Sequence, residues 1–314
     1  DPVAIFAQAT AGDVSPHYHG PGDLARRKAI RASGDVAYAR TNGTFQADHA
    51  LGAVAEDDQL RLSGPTDAVF GHHDLTDVAV DPQWVGGVTG AHTSDPCHGT
   101  AFFAGTPVDG RGAPAAVERV SAGLARLVRW RRLRDTSGQD HGYYEALYAS
   151  QGNKTILLEA GRKEILGRSL ARLALPDVAD ESIAELKRQA RSGALDTSPL
   201  VPTVLPFQIL RIGPLAIVCC PGEFTTIAGR RMLDTVAETL RPEGITELAI
   251  LTYANDYMGY VTTAEEYAEQ RYEGGHTIFG RWTLGAFQTI AATHAERLAA
   301  HHLARTVPHG EAPD

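Results

Sequence analysis

Residues 207–224 read FQILRIGPLAIVCCPGEF, and the fold turns on them. Two apolar runs flank Gly213-Pro214, a turn pair, so the segment is expected to form a β-hairpin. Its second arm, Leu215 to Cys220, is wholly apolar and reads as a buried strand. That strand ends in a tight turn, Pro221-Gly222, followed by one carboxylate, Glu223. A carboxylate at the end of a buried strand stays ionised only if it is paired, hydrogen-bonded or metal-bound.

Around the hairpin, strands and helices alternate without visible repeats. This pattern predicts a mixed α/β fold, mixed sheets with flanking helices, in one continuous domain over residues 1–314. Further strands are expected at 2–8, 67–70, 74–80, 100–106, 155–161 and 247–255. Helices are expected at 23–40, with a candidate break near Gly34, and at 114–134, where Val117, Val120, Leu124, Leu127 and Val128 share a face. Others are expected at 183–192 behind a Ser182/Glu185 capping box, at 226–240, after Thr263 with Glu266 completing a second box, and from about Thr283 to His302. The arginines that close the 114–134 helix read as a solvated basic turn. The tail VPHGEAPD reads as loop.

Composition narrows the function. The chain has 314 residues, 43% hydrophobic and 21% charged, ordinary values for a globular protein with a sizeable core. A net charge of −9 argues against nucleic acid as the main partner. Cys97, Cys219 and Cys220 are too few and too oddly spaced for a disulfide framework. No stretch approaches the ~18 apolar residues of a membrane span. The chain opens with Asp on what reads as a core strand, so the N-terminal part of a longer protein is expected upstream, with any targeting segment.

Local signatures of several enzyme classes are absent: no Gly-x-Ser-x-Gly, Ser-x-x-Lys, His-Glu-x-x-His, Gly-Lys-Ser/Thr or Cys-x-x-Cys occurs. Three strand-end motifs remain: Gly12-Asp13-Val14-Ser15-Pro16, which lifts one serine to a turn; Pro221-Gly222-Glu223-Phe224; and the tyrosine-rich YANDYMGYVTT (253–263). Loops at the ends of core strands are where α/β proteins place their sites. Taken singly, each motif is also an ordinary turn with a capping polar group.

GDVSP (12–16), AFFAGTPVDGRG (101–112), ILRIGPLAIVCCPGEFTTIAGRRM (209–232), GYVTTAEEYAEQRYEGGHTIFG (259–280) and TLGAF (283–287) carry a resemblance. The chain resembles the neutral/alkaline, non-lysosomal ceramidase family, in the family's order from residue 5 to about residue 288. The resemblance implies a ceramidase-like catalytic domain that cleaves the N-acyl bond of ceramide or a ceramide-like lipid, giving a fatty acid and an amine. It puts the family's proposed nucleophile on Ser15. It puts two ligands of a single catalytic zinc on Glu223 and Tyr260, and Tyr272 in the substrate pocket. It also implies a secreted or extracytoplasmic protein of sphingolipid metabolism.

The family's two zinc histidines precede its serine, and none of the fourteen residues before Ser15 is His. Those ligands are expected from an N-terminal segment or a partner chain; the family's C-terminal immunoglobulin-like domain also lies outside this chain. Local substitutes are His17 with His19, His72 with His73 and Asp74, and His92. Departures from the family pattern are His17 after Ser-Pro, and His276, Arg281 and Trp282.

Cleaving an unactivated amide needs charge stabilisation at the carbonyl oxygen and an activated nucleophile, and zinc can supply both. Ser15 would attack, or would orient the water that attacks. Two other readings stand beside this one. The altered 275–282 segment points to an amidase for another N-acylated amine, such as a peptide or secondary metabolite. The lack of upstream histidines points to a non-catalytic relative or a subunit that needs a partner.

Overall fold

The computed structural model describes residues 5–17, 34–55, 62–106, 110–172, 185, 188–195 and 199–306. The hairpin forms as expected. Val204–Ile212 pairs antiparallel with Leu215–Cys219, with Ile212 opposite Leu215. Gly213 turns the chain at φ 57°, where a side chain would also strike the Ser63 carbonyl at 2.2 Å. The hairpin is the middle of a four-stranded sheet. Thr66–Asp74 pairs antiparallel with its first arm, and Glu247–Leu251 lies parallel to its second. Helix Thr226–Leu240 makes the crossover between the two parallel strands, as such a connection requires.

The main core lies between this sheet and two helices. Phe207, Ile209, Ala216 and Val218 of the sheet pack with Met232, Val236 and Leu240 of the crossover helix. The last helix, Thr283–Thr306, adds Phe287, Ala291, Ala295 and Leu298. A second antiparallel sheet, Cys97–Gly99, Ile156–Glu159, Glu164–Ile165 and Arg168–Ser169, is covered by Leu147 and Tyr148 of helix His141–Gln151. Cys97, Cys219 and Cys220 are buried free thiols.

Four expectations change. Residues 5–9 are exposed and form no strand, Ile5 and Phe6 included. They are tied down by single contacts instead: Thr252 donates its N–H to Gln8 (2.9 Å) and its hydroxyl to Ala9 (2.7 Å). Residues 75–80 leave the sheet because Asp74 accepts hydrogen bonds from both the backbone and the hydroxyl of Thr76, which turns the chain. Only Ala79 makes a bridge there, to His92. The apolar run 100–104 is a short helix, Thr100–Ala104, stopped by Gly105 at φ 69°; a run this short carries no periodicity to separate helix from strand.

Finally, helix Ala115–Arg134 forms, but Val117, Val120, Leu124 and Leu127 face outward. Its inward side instead carries Ala125 and Arg132, and Arg132 is no solvated terminus. It bonds the buried Glu159 and, at 2.8 Å, Glu164, with its guanidinium 4.0 Å from the Tyr144 ring. The Thr263–Glu266 capping box is present in full. Residues 23–33, Ser182 and the tail 307–314 lie outside the described residues.

Candidate active site

The parallel pair of the main sheet continues past its C-terminal ends into a second ladder, two residues long. Glu223 is the register partner of Tyr260, and Phe224 of Val261. The ladder exists because each strand makes a sharp turn first. Gly222 fits against the Gly259 carbonyl, 3.0 Å from where its Cβ would stand, and Glu223 donates its N–H to that same carbonyl (2.8 Å). The two motifs that the sequence isolates are thus adjacent backbones.

The serine turn docks on the same place. Gly12 donates its N–H to the Phe224 carbonyl (3.0 Å), and a Cβ on Gly12 would lie 2.8 Å from the Glu223 oxygen, so only glycine permits this approach. Asp13 accepts bonds from the Thr226 N–H and hydroxyl, both at 2.8 Å, at the first turn of the crossover helix. Thr225 caps that helix through Ala228. Ser15 is half-buried beyond these anchors and accepts a bond from the His17 N–H (3.2 Å).

Ser15, Glu223, Tyr260 and Tyr272 line one cleft of about 1360 Å³. Its wall is aromatic. Tyr272 stands edge-on to Tyr260 (5.6 Å between centroids) and 5.1 Å from Phe102; His276 stacks behind Phe102 at 4.0 Å. Such a wall suits an apolar chain.

Glu223 is the electrostatic centre. Tyr257 donates to its Oε1 at 2.7 Å, and Tyr253 and Tyr260 stand close enough to feel its charge. Burial and the neighbouring Glu223 carboxylate push all three phenols up, Tyr253 to about 12, so each is neutral at neutral pH. The rings of Tyr253 and Tyr257 lie parallel within 2°. Tyr253 sits at φ 56° and Asn255 at φ 67°, left-handed conformations that cost non-glycine residues energy and are concentrated at functional sites.

Behind the wall, Lys154 is buried and donates to the carbonyls of Cys97 (3.0 Å) and Thr277 (2.7 Å). Burial pulls it down to about 7. Burial and Lys154 pull His276 down to about 4, and burial with His276 and Lys154 holds His98 well below the usual imidazole range.

Glu223 and Tyr260 offer two adjacent oxygen donors, a set that suits a divalent cation but does not complete a zinc centre. The local histidines weighed as substitutes stand elsewhere. His17 faces the Tyr38 hydroxyl, and His92 pairs with Asp77 at 2.9 Å. His72 packs on Phe70 and His73 on His294. His19 lies outside the described residues. Among the described residues no group of three His, Cys, Asp or Glu is placed to hold a metal ion. The sequence singles out the tyrosine-rich turn that holds Tyr253 and Tyr257 but neither residue by itself, and Phe102 lies in a run whose pattern reads as strand. Of the departures from the family pattern, His276 packs on the wall and His17 bonds Ser15 through its N–H, whereas Arg281 stacks on Trp282 (3.9 Å) and Trp282 packs on the main core.

Comparison with known proteins gives one consistent result. The sequence profile described as "Neutral/alkaline non-lysosomal ceramidase, N-terminal" matches residues 187–289. The chain is 32% identical to the neutral ceramidase of Mycobacterium tuberculosis, over 95% of this chain and 39% of that protein. It is 28% identical to neutral ceramidase B of Dictyostelium discoideum, over 99% of this chain and 40% of that protein. The solved structure "Ceramidase complexed with C2" superposes with a TM-score of 0.66 at 29% identity, covering 95% of this chain and 39% of the other. The crystal structure of neutral ceramidase from Pseudomonas aeruginosa gives a TM-score of 0.61 at 28% identity, covering 95% and 38%. The chain spans about two-fifths of the length of these relatives.

Proposed function

Because the chain belongs to the neutral/alkaline non-lysosomal ceramidase family, we propose that its cleft is the amide-hydrolysing site of a zinc-dependent ceramidase. The substrate is ceramide or a ceramide-like N-acyl lipid, and the products are a fatty acid and an amine. One observation carries this reading: the serine turn and the Glu223–Tyr260 ladder are hydrogen-bonded to each other and open on one aromatic cleft.

The residues divide the work. Phe102 and Tyr272 flank the apolar chain. Ser15, on the turn anchored through Gly12 and Asp13, would attack the acyl carbon or align the water that does. The C–N bond then breaks, the amine leaves with a proton, and the acyl group leaves as carboxylate with the oxygen of water. Tyr257 holds the Glu223 carboxylate through its hydroxyl; Glu223 and Tyr260, register partners that both line the cleft, would supply two oxygen ligands. Zinc bound there would polarise the carbonyl and lower the pKa of a bound hydroxyl or water. We propose that two histidines from residues outside this chain complete its coordination, on an N-terminal segment or a partner chain. Secretion belongs to the same proposal; no helix among the described residues is long and apolar enough to cross a membrane.

A second reading, a non-catalytic relative or subunit, is favoured by the two-donor metal set. The test compares the protein carrying this chain and its upstream residues with Ser15→Ala, on a short-chain ceramide and on an N-acyl amino acid. The ceramidase reading expects ceramide cleavage that falls at least ~100-fold in the variant. Faster cleavage of the N-acyl amino acid would favour the broader amidase, and no turnover on either would favour the non-catalytic reading.

A further inference from the structure

Away from the cleft, the edge strand Thr66–Asp74 and the helix Thr283–Thr306 bring together two histidines that amide hydrolysis does not use. His73 is on the strand. His294, on the helix, has no exposed surface. Their rings are 5.1 Å apart at 62°. His294 Nδ1 lies 3.1 Å from the Ile290 carbonyl, one turn earlier in its own helix. A carbonyl only accepts, so Nδ1 carries the hydrogen and Nε2 presents its lone pair. That Nε2 is buried without a hydrogen-bond partner, and so is Nε2 of His73. The two nitrogens face one spot, 3.2 and 3.0 Å from where a Cβ would stand on Gly71. Glycine at 71 is what lets both rings come this close to the strand. Phe207, its register partner on the next strand, walls it with a ring 5.2 Å from His294.

Two buried ring nitrogens without partners are costly unless something occupies the space between them. We propose that His73 and His294 form a bis-imidazole site for a late divalent transition-metal ion, which pins the C-terminal helix to the edge strand. Imidazole favours Zn²⁺, Ni²⁺ and Cu²⁺. The His294 Nδ1 bond to a backbone carbonyl is the arrangement that orients ligating histidines. Burial and the Arg297 charge hold both rings in the neutral form that binds metal. The same Arg297 opposes any added cation, but its exposed position lets solvent screen it. With two protein donors, water on the half-exposed His73 side completes the coordination, and binding is weaker than at a four-ligand site.

The test is titration of Ni²⁺ into the purified chain, read by calorimetry and thermal unfolding, beside His73→Gln and Gly71→Ala. Gly71→Ala keeps both imidazoles and fills the space between them. The site requires one bound equivalent that is weakened at least ~10-fold in both variants, with a metal-dependent rise in Tm only in the parent. Equal binding by parent and variants, or none by the parent, overturns it. Circular dichroism of the metal-free variants checks their folding. Should Gly71→Ala fail to fold, His73→Gln decides alone, since that side chain sits on the half-exposed side.

Discussion

Glu223 and Tyr260 are register partners in a parallel ladder only two residues long, and the Gly12 N–H bonds the carbonyl of the very next residue, Phe224. Three segments distant in sequence therefore meet through main-chain bonds, which hold position more rigidly than side-chain contacts. The consequences can be measured one by one.

Gly12→Ala places a methyl carbon 2.8 Å from the Glu223 oxygen and 2.9 Å from Phe224. Both obstacles are backbone and cannot swing away. The serine turn must lift off, and overpacking of this kind costs about 1–3 kcal/mol. The expected outcome is a lower Tm together with a loss of hydrolysis like that of Ser15→Ala. Full activity in the variant would show that the docked turn is not needed.

Asp13→Ala removes the acceptor for the Thr226 N–H and hydroxyl. Loss of a helix-capping acceptor should lower Tm by about 2–4 °C. Asp13→Asn keeps an acceptor oxygen and should recover most of that loss, and calorimetry of the pair separates cap from charge.

Tyr257→Phe deletes the 2.7 Å bond to Glu223 but leaves the ring stacked on Tyr253. A partner that holds a ligating carboxylate changes metal affinity by about 10–100-fold. Zinc affinity, measured by chelator competition on protein that includes the upstream residues, should fall within that range, while Tyr260→Phe should fall further. Equal effects of the two would mean that Tyr260 is no more than another hydrogen-bond partner.

Lys154 gives a pH signature. Burial lowers it to about 7 in the folded chain, against about 10.4 when unfolded. Between those values the unfolded chain binds a proton that the folded chain does not, so this group makes stability rise with pH across that window. The stability difference between the parent and Lys154→Met should therefore shift in the parent's favour from pH 7 to pH 10. A difference flat with pH would show Lys154 to be charged in the folded protein.

The regular elements were legible where the pattern was long. The hairpin at Gly213-Pro214, the helix Thr226–Leu240 and the capping box at Thr263 all match. The failures have physical causes. The apolar run 100–104 is too short for periodicity to separate helix from strand. Residues 5–8 look like a core strand, but in the structure they are exposed and held by isolated bonds. Arg132 reads as a solvated terminal charge, but its partners Glu159 and Glu164 come from a distant sheet, which no local pattern reveals. The serine and carboxylate motifs stood out because each is a tight turn with one chemical group. What sequence did not reveal is that Tyr253 and Tyr257 converge on Glu223, because the left-handed turn that aims them, Tyr253 and Asn255, is built without glycine at those positions.

We propose that Glu223 and Tyr260 hold the zinc of an amide-hydrolysing cleft. The direct measurement is zinc content together with ceramide cleavage, in protein carrying this chain and its upstream residues, for the parent and Glu223→Gln. The variant is expected to lose one equivalent of zinc and at least ~100-fold in cleavage rate while keeping its fold, since a catalytic zinc normally takes three protein ligands and Glu223 is proposed as one of them. A folded Glu223→Gln protein that keeps both its zinc and its rate would contradict it.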